Sequence, residues 1–240
     1  MKEYKYLFEM HSHTNWCSAC AHSSPEEMAA AYYNAGYAGM VITDHFLRGN
    51  TAVDRSLPWE EKARCYWRAC EAAKDWAEGK EFTVLFGLEH YYGDGKEVLT
   101  YGIGLDFLLA HPDLDQYSLT DYCAAVHEAG GFLSHAHPFR RAAYINAGVQ
   151  PQVQDMDAVE VFNYYNEEAE NRLAAQLAQK AGLLTTSGGD EHIKDGDAFG
   201  KAGVLFPVRP QDNRELVALL RSGDYQLMID GTPRERSWAF

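Results

Sequence analysis

No apolar run in this chain of 240 residues is long enough to cross a bilayer, and none follows the charged start Met1-Lys2-Glu3-Tyr4-Lys5. The sequence therefore predicts neither a signal peptide nor a membrane span, and a cytoplasmic location is the default expectation. Ser/Gly/Pro-rich linkers, low-complexity tracts and internal repeats are also missing. One domain over 1–240 is expected, large enough to bury a sizeable core. Cysteine is sparse and odd in number, five in all, which excludes a secreted disulfide framework. Cys65, Cys70 and Cys123 fall in helical stretches and read as small packing residues. Cys17 and Cys20 form a C-x-x-C pair without the helix start of a redox motif or the second pair of a zinc ribbon. Positive charge is scarce: 21 Lys and Arg stand against 35 Asp and Glu, a net −14. With no basic stripe the chain is ill suited to long nucleic acid. The balance favours a small substrate or a short oligonucleotide end.

What is present begins with His11-Ser12-His13-Thr14, directly after the apolar run Tyr6-Leu7-Phe8. This reads as a buried strand running into a loop. Residues two apart share a strand face, so His11 and His13 point the same way and form half of a metal site. Further along, Ser24-Pro25-Glu26-Glu27 predicts a helix start, with Ser24 as cap and Pro25 in the first turn. Gly39–Ile42 is an apolar strand ending at Thr43-Asp44-His45. A long helix is predicted from Trp59 to Glu78, its Trp59, Trp67 and Trp76 reading as core or groove residues. Phe82–Phe86 is a strand ending in Gly87-Leu88-Glu89-His90, and a Gly93-Asp94-Gly95 turn leads to a strand over 97–101.

Helix 119–129 leads to strand 132–134, which runs into His135-Ala136-His137-Pro138, with Arg140 and Arg141 beyond. Strand 158–162 ends at Asn163, helix 167–181 stops at Gly182, and strand 183–186 ends at Ser187-Gly188-Gly189-Asp190-Glu191-His192. A strand over 202–206, a helix over 213–221 and a short strand over 225–228 complete the pattern. The polar clusters fall at the C-terminal ends of apolar strands, which in a parallel barrel converge on one face. That face would gather His11, His13, His45, Glu89, His135 or His137, Asp190 and His192. Mixed imidazole and carboxylate donors suit Zn²⁺, Mn²⁺ or Fe²⁺.

His11-Ser-His13-Thr, Thr43-Asp44-His45, Gly87-Leu-Glu89, His137-Pro138 and Gly189-Asp190-Glu-His192 resemble, in order and spacing, the motifs of the polymerase and histidinol phosphatase (PHP) family. The resemblance covers roughly residues 6 to 206. It implies a distorted (β/α)7 barrel and phosphoester hydrolysis by metal-activated water at two or three divalent ions. It assigns a first ion to His11, His13, Glu89 and Asp190. Glu89 would bridge to a second ion, which also takes His137, and a third would take His45 and His192. Two positions depart from the common pattern. Glu97 stands where many members have histidine. The stretch Cys17-Ser18-Ala19-Cys20-Ala21-His22 leaves His22 or Cys20 as the remaining ligand of the third ion, with His22 preferred because imidazole resists oxidation. His135 is a spare that could orient a ligand.

Arg140 is expected to hold a phosphate oxygen pair, with Arg48 as a weaker candidate. His45 or His192, where not committed to metal, would protonate the leaving alkoxide. The expected substrate is a small phosphate monoester or a short nucleotide phosphoester. Two alternatives are metal-dependent hydrolysis of a non-phosphate bond such as an amide, and a non-catalytic metal-binding module.

Overall fold

A computed structural model describes residues 2–236 apart from positions 144 and 147. The chain runs β1 (Tyr6–Ser12), α1 (Pro25–Asn34), β2 (Gly39–Ile42), α2 (Trp59–Ala77), β3 (Thr83–Gly93) and β4 (Lys96–Tyr101). It continues α3 (Leu105–Ala110), α4 (Leu119–Glu128), β5 (Phe132–Ala136), β6 (Ala158–Asn163), α5 (Glu168–Ala181) and β7 (Leu184–Gly188). It closes with β8 (Ala202–Phe206), α6 (Asn213–Ser222), β9 (Gln226–Ile229) and β10 (Thr232–Glu235).

The strands form one curled sheet in the order β10-β9-β8-β1-β2-β3-β4-β5-β6-β7. Among the described residues it is a mixed sheet of ten strands rather than a plain repeat of seven β/α units. Pairs β1–β2, β2–β3, β5–β6 and β6–β7 are parallel, whereas β4 runs antiparallel to both β3 and β5. The reason is local. Asp94 and Gly95 alone join β3 to β4, both at positive φ (53° and 76°). That is the backbone of a two-residue hairpin turn, and so short a link can only reverse the chain. The antiparallel run puts the start of β4 beside the C-terminal end of β5. Glu97 thereby reaches the same face as the parallel strand ends, paired in register with Ala136. Strands β8, β9 and β10 add a second antiparallel set outside β1.

Across the sheet from β8, the chain after β7 returns to β1. The Asp190 N–H donates to the His11 carbonyl at 2.7 Å, and the His13 N–H donates to the Glu191 carbonyl at 3.0 Å. These two bonds draw the sheet round at the end where the polar clusters lie.

Helix α1 starts as its sequence dictates. The Ser24 side chain accepts from the Glu27 N–H while Glu27 reaches back to the Ser24 N–H, a reciprocal cap. Its Met28 and Tyr32, four apart, share the buried face. They join Tyr66 of α2, Tyr122 of α4 and Phe86 of β3 in one apolar cluster; a second holds Phe8, Phe132, Val204 and Leu216. Each such side chain contributes about 1.5–3 kcal/mol on burial. Trp59, Trp67 and Trp76 pack half-buried against the first cluster. Cys70 and Cys123 are buried and Cys65 half-buried; all five thiols are free. No helix among the described residues is long and apolar enough to cross a membrane.

Candidate metal centre

Glu89 is at the middle of the site. It lies inside β3 rather than at a strand end, because β3 continues to Gly93. Its Oε1 is 3.1 Å from His11 Nε2 and 3.0 Å from His137 Nε2. Its Oε2 is 2.7 Å from His45 Nδ1 and 3.5 Å from His13 Nε2. Asp190 Oδ1 faces His11 Nε2 at 3.4 Å and His13 Nε2 at 3.2 Å. Glu97 stands 3.5 Å from His45 and 3.6 Å from His137. His192 stacks on His13, with ring centroids 4.2 Å apart, and His13 lies 4.3 Å from the His45 ring. Among the described residues four overlapping groups of three donors result: His11/His13/Glu89, His11/His137/Asp190, His45/Glu89/Glu97 and His13/His45/His192.

Two of these side chains are held at unusual backbone angles. His137 has φ 22° and Asp190 has φ 54°. Left-handed backbone is strained for a histidine, and such strain is typical of functional positions. At His137 it also breaks strand alternation. His135 would otherwise share its face, but His135 bonds Tyr92 through Nε2 (2.8 Å) and its own strand through Nδ1, away from the cage. Burial pushes the His135 ring down to about 3, so it stays neutral.

The ring orientations follow from the surrounding bonds. The His11 Nδ1–H donates to Glu160 at 2.9 Å. The Ser18 hydroxyl gives its only proton to Asp44, so at 3.0 Å it accepts from the His13 Nδ1–H. His192 Nδ1–H donates to the Asp190 carbonyl. In each case the second nitrogen is left for the cage or the cleft. The buried atoms His11 Nε2, His13 Nε2, His45 Nδ1 and Glu89 Oε2 have no hydrogen-bond partner despite their close neighbours. Burial, followed by the His192 and His45 charges, holds His13 well below the usual imidazole range. A neutral His13 then turns its Nε2 lone pair at two carboxylates. Buried acceptors that face one another at this range require a cation between them. The donor set fits a divalent ion.

Electrostatics in the cage are tightly linked. Burial disfavours charge on His11, but Asp190, Glu160 and Glu89 outweigh it and raise the ring well above its usual value. Burial would likewise raise Glu89 and Asp190, yet His11, with His45 for Glu89 and Arg140 for Asp190, holds both well below the carboxylate range. Without metal, a proton on His11 does part of the work that a cation would do. Metal binding therefore releases protons.

The remaining residues named from the sequence divide. Cys20 contacts the side chains of both His192 and His45 and lines the cleft. His22 is exposed, and its backbone N–H donates to the His192 carbonyl; neither Cys20 nor His22 belongs to the four donor groups. The turn after β1 carries residue 20 towards the cleft and residue 22 out to solvent. Arg140 lies on the cleft wall, but its fork is engaged: Nε on Asn166, Nη1 on Asp190 and Nη2 on Asn163, at 2.9, 2.6 and 2.6 Å. Arg48 is exposed at the same cleft.

The sequence names Asp44 only within a motif and Asn163 only as a strand end, and gives no role to Glu9, Ser18 or Glu160. Glu9 accepts the backbone N–H groups of Met10, His11 and Gly189. Besides His11, Glu160 accepts from the His137 N–H and from Asn163. The signal was an acid inside an apolar strand, at Phe8-Glu9-Met10 and Val159-Glu160-Val161. Gly188 is shaped to this packing: a Cβ there would lie 2.5 Å from both Glu160 Oε1 and His11 Cβ.

The cleft above the cage has a volume of about 510 Å³, within the range of small-molecule sites. Its fold and site are those of a metal-binding α/β protein, and the PHP domain family matches residues 9–188. The chain belongs to the PHP family. Similar solved structures include a two-domain protein from Bacteroides vulgatus that contains a predicted PHP-like metal-dependent phosphoesterase (TM-score 0.69, 13% identity, 95% of this chain and 66% of that one). PsfC from Pseudomonas syringae is another (TM-score 0.64, 15% identity, 93% and 91%). A third, from Bifidobacterium adolescentis, is assigned as a metal-dependent phosphoesterase (TM-score 0.53, 16% identity, 89% and 95%). At these identities the likeness is one of fold, and this chain spans under two thirds of the length of the Bacteroides protein. No curated protein sequence gave a match.

Proposed function

We propose that this chain is a metal-dependent phosphoesterase acting on a small phosphate monoester or a short nucleotide phosphoester. The observation that carries this is the buried set of His11 Nε2, His13 Nε2, His45 Nδ1 and Glu89 Oε2, which face one another without hydrogen-bond partners beneath a cleft. His11, His13, Glu89 and Asp190 would hold one ion, and Glu89, Glu97 and His137 a second. His45 and His192 belong to a third. When bound, such ions supply positive charge for a phosphoryl group and acidify water enough for attack at neutral pH.

The chain's own residues prepare that chemistry. Glu160 and Ser18 fix the rings of His11 and His13, and Arg140 holds Asp190 in place. Arg48, exposed at the cleft, is the cation we assign to meet the phosphate. His192 has Nδ1 on a backbone carbonyl and His45 has Nδ1 beside Glu89. Neither can ligate and donate a proton at once, and we assign both to metal. A cleft of about 510 Å³ supports a terminal phosphate as occupant rather than a polymer lying within it.

The test is phosphate release from a panel of monoesters and short oligonucleotides by protein loaded in turn with Zn²⁺, Mn²⁺ and Fe²⁺. Turnover that vanishes in Asp190→Ala and His13→Ala, with the fold kept, supports the reading. Metal-dependent cleavage of amide substrates with no phosphate release from any ester would replace it.

A further inference from the structure

We propose that Cys20 is a metal ligand, joining His45 and His192 in a thiolate-bearing position on the cleft side of the cage that selects a thiophilic ion. The inference rests on the metal-centre reading above and goes beyond it, since the family resemblance left this ligand open. Three observations carry it. The Cys20 side chain touches both His192 and His45. It lines the same cleft as those two rings, and the rings of His13, His45 and His192 form one donor group. His22, the other side chain able to complete that position, is exposed and does not line the cleft.

The inner donors are already spoken for. His13 Nε2 faces Glu89 and Asp190, and Glu97 lies on the side of His137 and His45. What is left next to His192 is the sulfur. The backbone supports the placement. Ala19 N–H donates to the Asn50 carbonyl, Ala21 N–H to the Ser18 carbonyl and His22 N–H to the His192 carbonyl. The turn is pinned on both sides of residue 20, so the thiol stands at the cleft wall without rearrangement. Two imidazoles and a thiolate leave a fourth position open, the pattern of catalytic rather than structural zinc sites. On binding, the thiol proton leaves to solvent and sulfur donates its electron pair to the ion. Thiolate favours Zn²⁺, Fe²⁺ or Co²⁺ over the oxygen-preferring Mn²⁺.

The experiment is cobalt substitution of the full chain, read by absorption and by elemental analysis. Expected is a thiolate-to-cobalt charge-transfer band in the near ultraviolet. It disappears in Cys20→Ser with a loss of about one ion per chain, persists in His22→Ala, and disappears in Cys20→His while the ion count is kept. Cys20→His also guards against misfolding, since its retained cobalt shows an intact site. Cobalt bound with no such band, or a band that survives in Cys20→Ser, overturns the assignment while the metal centre stands. No cobalt bound at all overturns the metal centre itself, and the assignment with it.

Discussion

Nη1 of Arg140 lies 2.6 Å from Oδ2 of Asp190, while Oδ1 of the same carboxylate faces His11 and His13. One carboxylate therefore has an oxygen for the cage and an oxygen for the arginine. Arg140 is pinned further by Asn163 and Asn166, so it orients Asp190 more readily than it receives a phosphate. Arg140→Ala is expected to lower metal affinity about 10–100-fold, the usual cost of losing a partner behind a ligand. Arg48→Ala should leave metal content unchanged and raise KM roughly tenfold, a loss of uniform phosphate binding. Elemental analysis and steady-state kinetics on both variants check this. Unaltered metal content in Arg140→Ala with a raised KM would return the phosphate role to Arg140.

Glu160 holds the His11 ring from behind and also accepts from the His137 backbone. Glu160→Gln keeps the shape but gives a neutral partner, and Glu160→Ala leaves the ring unoriented. Metal affinity is expected to fall in the order wild type, Gln, Ala, by about 10–100-fold over the series. Isothermal titration with Zn²⁺ reads the order. Equal affinities in all three would reduce Glu160 to a packing residue.

Removing metal should destabilise the fold. An ion present at about 100 times its Kd adds about 2.7 kcal/mol. For a chain of this length that is a fall of roughly 5–10 °C in Tm on adding a chelator. Thermal unfolding with and without chelator measures it, and a Tm indifferent to both would count against the cage as a metal site.

His90 titrates against the fold. It stacks on Tyr122 at 4.0 Å, and neither ring nitrogen has a hydrogen-bond partner. Burial first, and Arg48 second, push it down to about 3. The unfolded chain, with a histidine near about 6.5, takes up the proton first as pH falls. His90 thus contributes full stability above about pH 6.5 and loses it between there and about 3, at up to about 1.4 kcal/mol per pH unit. Denaturant melts of wild type and His90→Phe across that window should converge or cross as pH drops. Parallel curves would show that His90 is charged in the fold.

Much of the architecture was legible because its causes are local. Apolar runs marked β1, β2, β5, β6, β7 and β8 within a few residues, and Ser24-Pro25-Glu26-Glu27 announced α1 with its cap. The turn Gly93-Asp94-Gly95 was visible, but the sheet direction it imposed on β4 was not drawn from it, and α3 and β10 went unseen. Alternation also placed His11, in β1, and His13, just past its end, on one side, and in the fold both face Glu89.

Alternation failed where the backbone leaves the strand. The left-handed angle at His137 separates it from His135, and no pattern of residue types announces that angle. The choice between Cys20 and His22 depended on a turn tied to Asn50 and His192, which stand far along the chain. Glu160 was readable only as an odd acid in an apolar strand, for its meaning lies in His11, 149 positions away. Local periodicity determines which side chains can face a common centre. Only the closure of the sheet decides which nitrogen of each ring is held, which is left unpartnered, and what stands behind each ligand, because those are bonds between residues the sequence keeps apart.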